Sequence, residues 1–199
     1  MKLYAAAALA LLPCMALTVG DVEKARAIGN PVAPVRIDVY SDFQCPACKG
    51  FHENLLPVMI RDYVQPGKVY MVFHEFPLTM HQYSREAAGY AVAATQVGKY
   101  QQVADALFHT QAMWTANGKV WETVATVLNP AEQKKVQGLA KDPSVLALVQ
   151  ADVDLGNSLK INQTPTIYIS KGKTRYPYAG PDAGNYPFLR ALIDDLVTR

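Results

Sequence analysis

Cysteine is scarce in this chain, with three in 199 residues at Cys14, Cys45 and Cys48. Closed zinc sites take four nitrogen or sulfur ligands, and no second cysteine pair exists to supply them. Excess charge is missing too. Lys and Arg number 19 against 17 Asp and Glu, a formal net charge of +2, and no basic run is interleaved with aromatics, which gives no support to nucleic acid or an anionic membrane as partner. There are no repeats and no low-complexity tract beyond an Ala-rich start. What remains is a chain whose residues are 50% apolar, enough to bury a sizeable core, and of a length that suits one domain with a large insertion.

Residues 1–20 read as an export signal. Lys2 supplies a positive n-region, Leu3 to Leu12 an Ala/Leu h-region, and Ala16 or Gly20 a small residue for cleavage. The apolar run stops near Val19 and contains Pro13, so it falls short of the roughly 20 residues of a spanning helix. An uncleaved anchor is the alternative. Leu11-Leu12-Pro13-Cys14 approaches a lipoprotein box but has proline where a small residue is needed, so a lipid anchor is weakly supported. Export to a periplasm or other extracytoplasmic envelope places the remaining pair, Cys45 and Cys48, where disulfides persist. A bridge across two residues closes almost no loop and stabilises little as a staple. Chemistry is the better reason to keep it.

Residues 21–34, punctuated by Gly29-Asn30-Pro31 and Pro34, read as a flexible lead-in to a domain spanning 35–199. Val35, Ile37, Val39 and Tyr40 form a buried strand. A helix starts at Cys45 with Pro46 in its first turn, carries Cys48, Phe51, Leu55 and Val58 or Met59 at helical spacing, and is expected to kink at Pro57. "VYMVFHEF" is a second strand, parallel to the first. Residues 81–160 read as a helical insertion: one helix with Ala87, Ala88, Ala91 and Ala94 inward and Gly98 at its end, a second from Tyr100 to Gln111, a third from Val120 to Leu128, a fourth capped by Asn129, and a fifth from Asp142 with Leu146, Val149, Val153 and Leu159 inward. "TPTIYIS" and "TRYPYAG" make a hairpin around Lys171-Gly172-Lys173. A last helix near Tyr186 to Val197 turns Leu189, Leu192, Ile193 and Leu196 inward.

That order resembles a thioredoxin-like α/β fold with an inserted helical domain. "SDFQCPACKGFHE", "FPLTMH", "QVGKYQQVADALF" and "INQTPTIYI" resemble the DsbA-like thiol:disulfide oxidoreductases of bacterial envelopes, from about residue 29 to the C-terminus. CxxC joined to a later Thr-Pro in that fold order, behind an export signal, is a specific combination.

Disulfide exchange needs a thiolate. Cys45 stands at a helix N-terminus, where free N–H groups and the dipole favour an anion, so its pKa should fall. Cys48, one turn further in, is the more buried resolving thiol, and their Cα atoms fall roughly 5 Å apart, within disulfide reach. The resemblance implies a cis Thr164-Pro165 bond facing this pair, with the backbone of Thr164 left to bind an extended substrate. It also implies no cofactor beyond the Cys45-Cys48 disulfide, reduced exported proteins as clients, reoxidation by a quinone-linked membrane partner, and a monomer.

Two departures qualify it. Pro46-Ala47 separates the cysteines where strong oxidants of the family have Pro-His; Ala47 brings no charge or side-chain donor, so a weaker oxidant is expected. The family's buried acid, six residues before the nucleophile, is Val39 here. Asp38 points to the opposite sheet face, and Glu75 is the substitute proposed. His52 shares a helix face with Cys45 and Cys48, a partial metal set that would need His74, His81 or His109 to converge; a satisfied, half-buried histidine is the plainer reading. Asp42 reads as a turn residue opening the helix. Phe76, Pro77, Leu78, Met80 and Trp114 border a substrate groove or simply pack the core.

Three functions remain: a dithiol oxidase, a reductase or isomerase using the same residues, and a metal-binding or chaperone module without redox turnover. Dedicated isomerases of this fold add an N-terminal dimerisation domain, for which Gly20 to Pro34 leaves no room.

Overall fold

The computed structural model describes residues 18–199. Cys14 and nearly all of the expected leader lie outside the described residues. A five-stranded mixed sheet has the order β1-β3-β2-β4-β5, with β1 Ala27–Ile28, β2 Val35–Ser41, β3 Val69–Glu75, β4 Thr166–Lys171 and β5 Thr174–Ala179. β2 and β3 are parallel and in register from Val35↔Val69 to Ser41↔Glu75; the other pairs are antiparallel. Gly172 takes a positive φ of 58° in the tight β4-β5 turn, where glycine carries no steric penalty.

Residues 21–34 are not the featureless lead-in that their turn residues suggest. Helix α1, Val19–Arg26, starts on a Thr18 cap and buries Val22 and Arg26, and β1 pairs Ala27 with Val72 and Ile28 with Met71. Gly29, at φ 98°, lets the chain hug β3, since a Cβ there would lie 2.6 Å from the Val69 carbonyl oxygen. An eight-residue helix with so few inward apolar residues leaves little periodicity to read.

Sheet alternation separates two environments. Val35, Ile37, Val39, Met71, Phe73, Ile167 and Ile169 face the main core, where Cys48, Phe51, Met59, Leu189 and Ile193 pack. The opposite face carries a smaller cluster of Tyr40, Phe76, Ile161 and Tyr168, and a buried polar network around Asp38, His74 and Asp152. After β2 the chain enters α2, Pro46–Gly50, passes a π turn at Phe51–Leu55, then α3, Leu56–Met59, and a second π turn at Ile60–Val64. The Leu56 N–H bonds back to the Phe51 carbonyl, so Pro57, which has no N–H, is accommodated by a wider helical turn just before it.

Between β3 and β4 lie six helices: α4 Ser84–Ala94, α5 Tyr100–His109, α6 Gln111–Asn117, α7 Val120–Ala125, α8 Pro130–Leu139 and α9 Pro143–Ser158. A 3-10 turn, Thr95–Val97, extends the first and ends on Gly98 at φ 65°, and Asn129 with Glu132 forms a capping box. The run expected to reach Gln111 breaks at Thr110, and α6 follows to seat Trp114 in the core. On α9 the inward residues are Val145, Leu148, Val149, Asp152 and Gly156. Leu146 is 37% exposed, a correction to its expected place; a buried aspartate and glycine shift the apparent apolar stripe. α10, Tyr186–Thr198, buries Leu189, Ile193 and Leu196, with Leu192 half-buried.

Candidate active site

The two cysteines follow directly from β2. Cys45 caps α2 with extended backbone (φ −74°, ψ 122°) and Pro46 occupies the first turn. Both thiols are free and buried. The loop before them is pinned by Asp42, whose carboxylate accepts from the backbone N–H groups of Gln44 and Leu78, each at 2.7 Å, from His81 Nδ1 at 2.8 Å, and from the Ser84 hydroxyl. Asp42 thus does far more than open a turn. It joins the cysteine loop to the Phe76-Pro77-Leu78 segment and to α4. Gln111 Nε2 donates to the Phe43 and Cys45 carbonyls at 2.6 and 3.0 Å. Gln111 and Ser84 carry no periodic signal as polar residues at helix starts, and His81, weighed only as a conditional metal ligand, instead bonds Asp42.

The Thr164-Pro165 peptide is cis. In its thiol form Cys45 Sγ donates to the Thr164 carbonyl oxygen at 3.3 Å, and the Asp42 N–H donates to Cys48 Sγ at 3.5 Å. The Cys48 thiol, then the Thr164 hydroxyl and the backbone N–H groups of Cys48 and Ala47, hold Cys45 down at about 5 against burial. Burial, reinforced by Cys45 beside it, pushes Cys48 well above the usual thiol range. One sulfur is therefore anionic near neutrality and its neighbour is not. Ala47 contributes through its backbone N–H, although its side chain contributes nothing.

Glu75 faces the same side of the sheet as Val39, because Val39 pairs with Phe73 and Ser41 with Glu75. It accepts from the Tyr100 hydroxyl at 2.7 Å, and burial pushes its carboxyl up to about 7 despite the pull of Arg26 and Tyr100. Glu75, Ser41 and Tyr100 line a cavity of about 20 Å³, room for one water. Asp38 points to the other face, bonding His74 and Arg36.

The histidines do not converge. His52 bonds Asp105 at 2.7 Å and lies tilted against the Phe108 ring, His74 is buried between Asp38 and Asp152, and His109 lies near Glu53. No three metal-binding side chains group together among the described residues. Phe76 and Trp114 are core residues at 6% and 1% exposure, whereas Met80 is exposed. The open groove beside the cysteines, about 540 Å³, is lined instead by Ala47, Phe51, Leu55, Thr164, Pro165 and Pro181.

Comparison with known proteins agrees with this geometry. A family model described as Thioredoxin matches residues 21–194. A Bacillus anthracis protein named "Probable disulfide bond formation protein D" is 27% identical over 153 residues, 73% of this chain and 69% of that one. The crystal structure of Wolbachia pipientis alpha-DsbA1 superposes with a TM-score of 0.74 at 21% identity, over 87% of this chain and 90% of that one. Oxidised BdbD from Bacillus subtilis gives 0.72 at 22% identity, over 88% and 95%. The chain belongs to the thioredoxin family, and its sheet with inserted helices is the DsbA-like form of that fold.

Proposed function

We propose that this chain is a protein thiol:disulfide oxidoreductase working chiefly as a dithiol oxidase, with Cys45 as the exchanging sulfur and Cys48 as its resolving partner. The observation that carries the reading is the acidic Cys45 sulfur at the start of α2, 3.3 Å from the Thr164 carbonyl across a groove open to a client chain. The name of the Bacillus anthracis relative supports the same activity.

In the oxidising direction a client thiolate attacks Cys45 Sγ of the Cys45-Cys48 disulfide. The S–S bond breaks and Cys48 leaves with the electron pair, to be protonated because its thiol form is strongly favoured. A second client thiolate then attacks the client sulfur of the mixed disulfide, and Cys45 departs as a stable thiolate, a good leaving group. Two electrons pass from client to enzyme. Glu75 is the proton store for Cys48, through Ser41 and one water in the small cavity. Thr164 and Pro165 border the groove where an extended client lies, and Pro46 fixes the first turn of α2. His52 holds α5 beside the site through Asp105.

Export to the envelope, reduced exported clients, reoxidation by a quinone-linked membrane partner and a monomeric state complete the proposal. Among the described residues no helix is long and apolar enough to cross a membrane.

Refolding of a reduced, unfolded disulfide protein by stoichiometric oxidised enzyme tests it. The enzyme should restore the client's disulfides, Cys45→Ser should abolish this, and the reduction potential should lie above about −200 mV. A potential as negative as about −270 mV assigns the chain to reduction, and activity surviving in Cys45→Ser removes the mechanism.

A further inference from the structure

The end of the sheet farthest from Cys45 holds a polar pocket of about 370 Å³ that the thiol chemistry does not use. Strand register builds it. Arg36 on β2 pairs with Ser170 on β4, which pairs with Arg175 on β5, so the three side chains form one row on one face. With neighbouring strands about 4.8 Å apart, the two arginine Cα atoms stand roughly 10 Å apart with the serine between them. Lys173 and Thr174 of the β4-β5 turn complete the rim.

The three members of the row differ in how far their hydrogen bonding is met. Arg36 is compensated, by Asp38 through Nε and Nη2 and by Glu23 through Nη1. A guanidinium has five N–H donors, so one on each terminal nitrogen is left over. Arg175 lies over the Tyr168 ring, 5.3 Å from its centroid, and the ion pairs among the described residues do not include it or Lys173. The Ser170 hydroxyl oxygen is buried with no hydrogen-bond partner among the described residues, which is uncommon for a buried polar group and leaves its O–H free to donate.

We infer that the row Arg36-Ser170-Arg175 is a binding site for an oxyanion of phosphate type, held between two guanidiniums with the serine hydroxyl donating to one of its oxygens. Planar guanidinium forks suit tetrahedral oxyanions, and the two carboxylates bonded to the row are already engaged, Glu23 with Arg36 and Asp38 with Arg36 and His74. The near-neutral balance of the whole chain excludes a broadly basic face, not a local site. The group is free phosphate or the phosphate of a lipid head.

Titration calorimetry of the purified full chain with inorganic phosphate, paired with flotation on phosphatidylglycerol and on phosphatidylcholine vesicles, tests the site. Saturable one-to-one phosphate binding is expected, weakened tenfold or more by Arg175→Gln and about threefold by Ser170→Ala, with client oxidation unchanged in both variants. Binding to phosphatidylglycerol vesicles alone, with the same losses in both variants, assigns the group to a lipid head. Equal binding by wild type and Ser170→Ala means diffuse attraction and overturns the site, as does absence of binding in both arms. Should Arg175→Gln fail to fold, the uncharged Ser170→Ala exchange decides alone.

Discussion

Cys45 Sγ sits 3.3 Å from the carbonyl oxygen of Thr164, a residue 119 positions away, and the buried hydroxyl of the same threonine, engaged by no other group among the described residues, supports the Cys45 anion. The site is thus assembled from a helix start and a loop between distant parts of the chain, and neither element alone accounts for an acidic thiol.

Alkylation of reduced protein by iodoacetamide should follow a titration with its midpoint near pH 5, not near the ordinary thiol value of about 8.5. The shift is downward, so the added stability of the reduced form is complete above the unfolded-state value and is lost as pH falls through the folded one. The melting-temperature advantage of reduced over oxidised protein should therefore widen from about pH 5 to about pH 9. A gap that is flat across this window contradicts the assignment.

Thr164→Val removes the hydroxyl that supports the Cys45 anion and keeps the side-chain volume. The Cys45 midpoint should rise by about one unit, equivalent to about 1.4 kcal/mol of lost thiolate preference, and the protein should become less oxidising by about 30 mV. Equilibration with glutathione reads the second quantity. Unchanged values would assign the anion to Cys48 and the α2 backbone alone.

Glu75→Gln separates a proton store from a structural acid. Resolution of a mixed disulfide by Cys48 should slow tenfold or more at pH 7 and lose its inflection near pH 7. A second readout has a definite sign. A carboxyl raised to about 7 makes the fold lose stability as pH climbs from about 4.3 to that value, so the glutamine variant should be the more stable protein at pH 8. If only the melting curve responds, Glu75 is structural.

The elements that form the site were legible where chemistry and periodicity coincide. Cys45-Pro46-Ala47-Cys48 announces a helix start because proline is tolerated only there, and Asn129 with Glu132 announces another. The central strands are legible as apolar runs and the hairpin through Gly172. Other features depend on partners distant in sequence. Asp42 looks like a turn residue until Ser84, His81 and the Leu78 N–H converge on it. α1 carries too few apolar residues to stand out, and the buried face of α9 includes Asp152 because Arg26 and His74 meet it there.

His74 should make stability fall on the alkaline side. Burial pulls its pKa down, but hydrogen bonds to Asp152 on α9 and Asp38 on β2 outweigh this and hold it above the ordinary value, with Arg26 of α1 opposing; Tyr40 stacks on the ring at 4.6 Å. A raised histidine contributes fully below its unfolded value of about 6.5 and loses that contribution as pH rises through the folded value. His74→Gln should cost about 3 kcal/mol at pH 6 by leaving buried carboxylates short of a partner, and less at high pH. Urea midpoints across pH 6 to about pH 9 check the sign, and a penalty that grows with pH contradicts a protonated His74.

Gly156 on α9 packs closely against one side of the Phe76 ring. A Cβ there would fall 2.5 and 2.6 Å from two ring carbons, so the helix needs glycine for close approach, not for an unusual backbone. Alanine gains about 1 kcal/mol of helix propensity yet must displace a buried aromatic ring, an overpacking that costs about 1–3 kcal/mol. The clash should win because Phe76 is buried and already packed edge-on against Tyr40. It also opens the segment whose Leu78 N–H bonds Asp42, so displacement should reach the cysteine loop. Gly156→Ala is expected to lower stability by about 1–2 kcal/mol and slow client oxidation. Phe76→Leu in that background should recover part of both losses. Additive effects in this double-mutant cycle would show that the two side chains are not in contact.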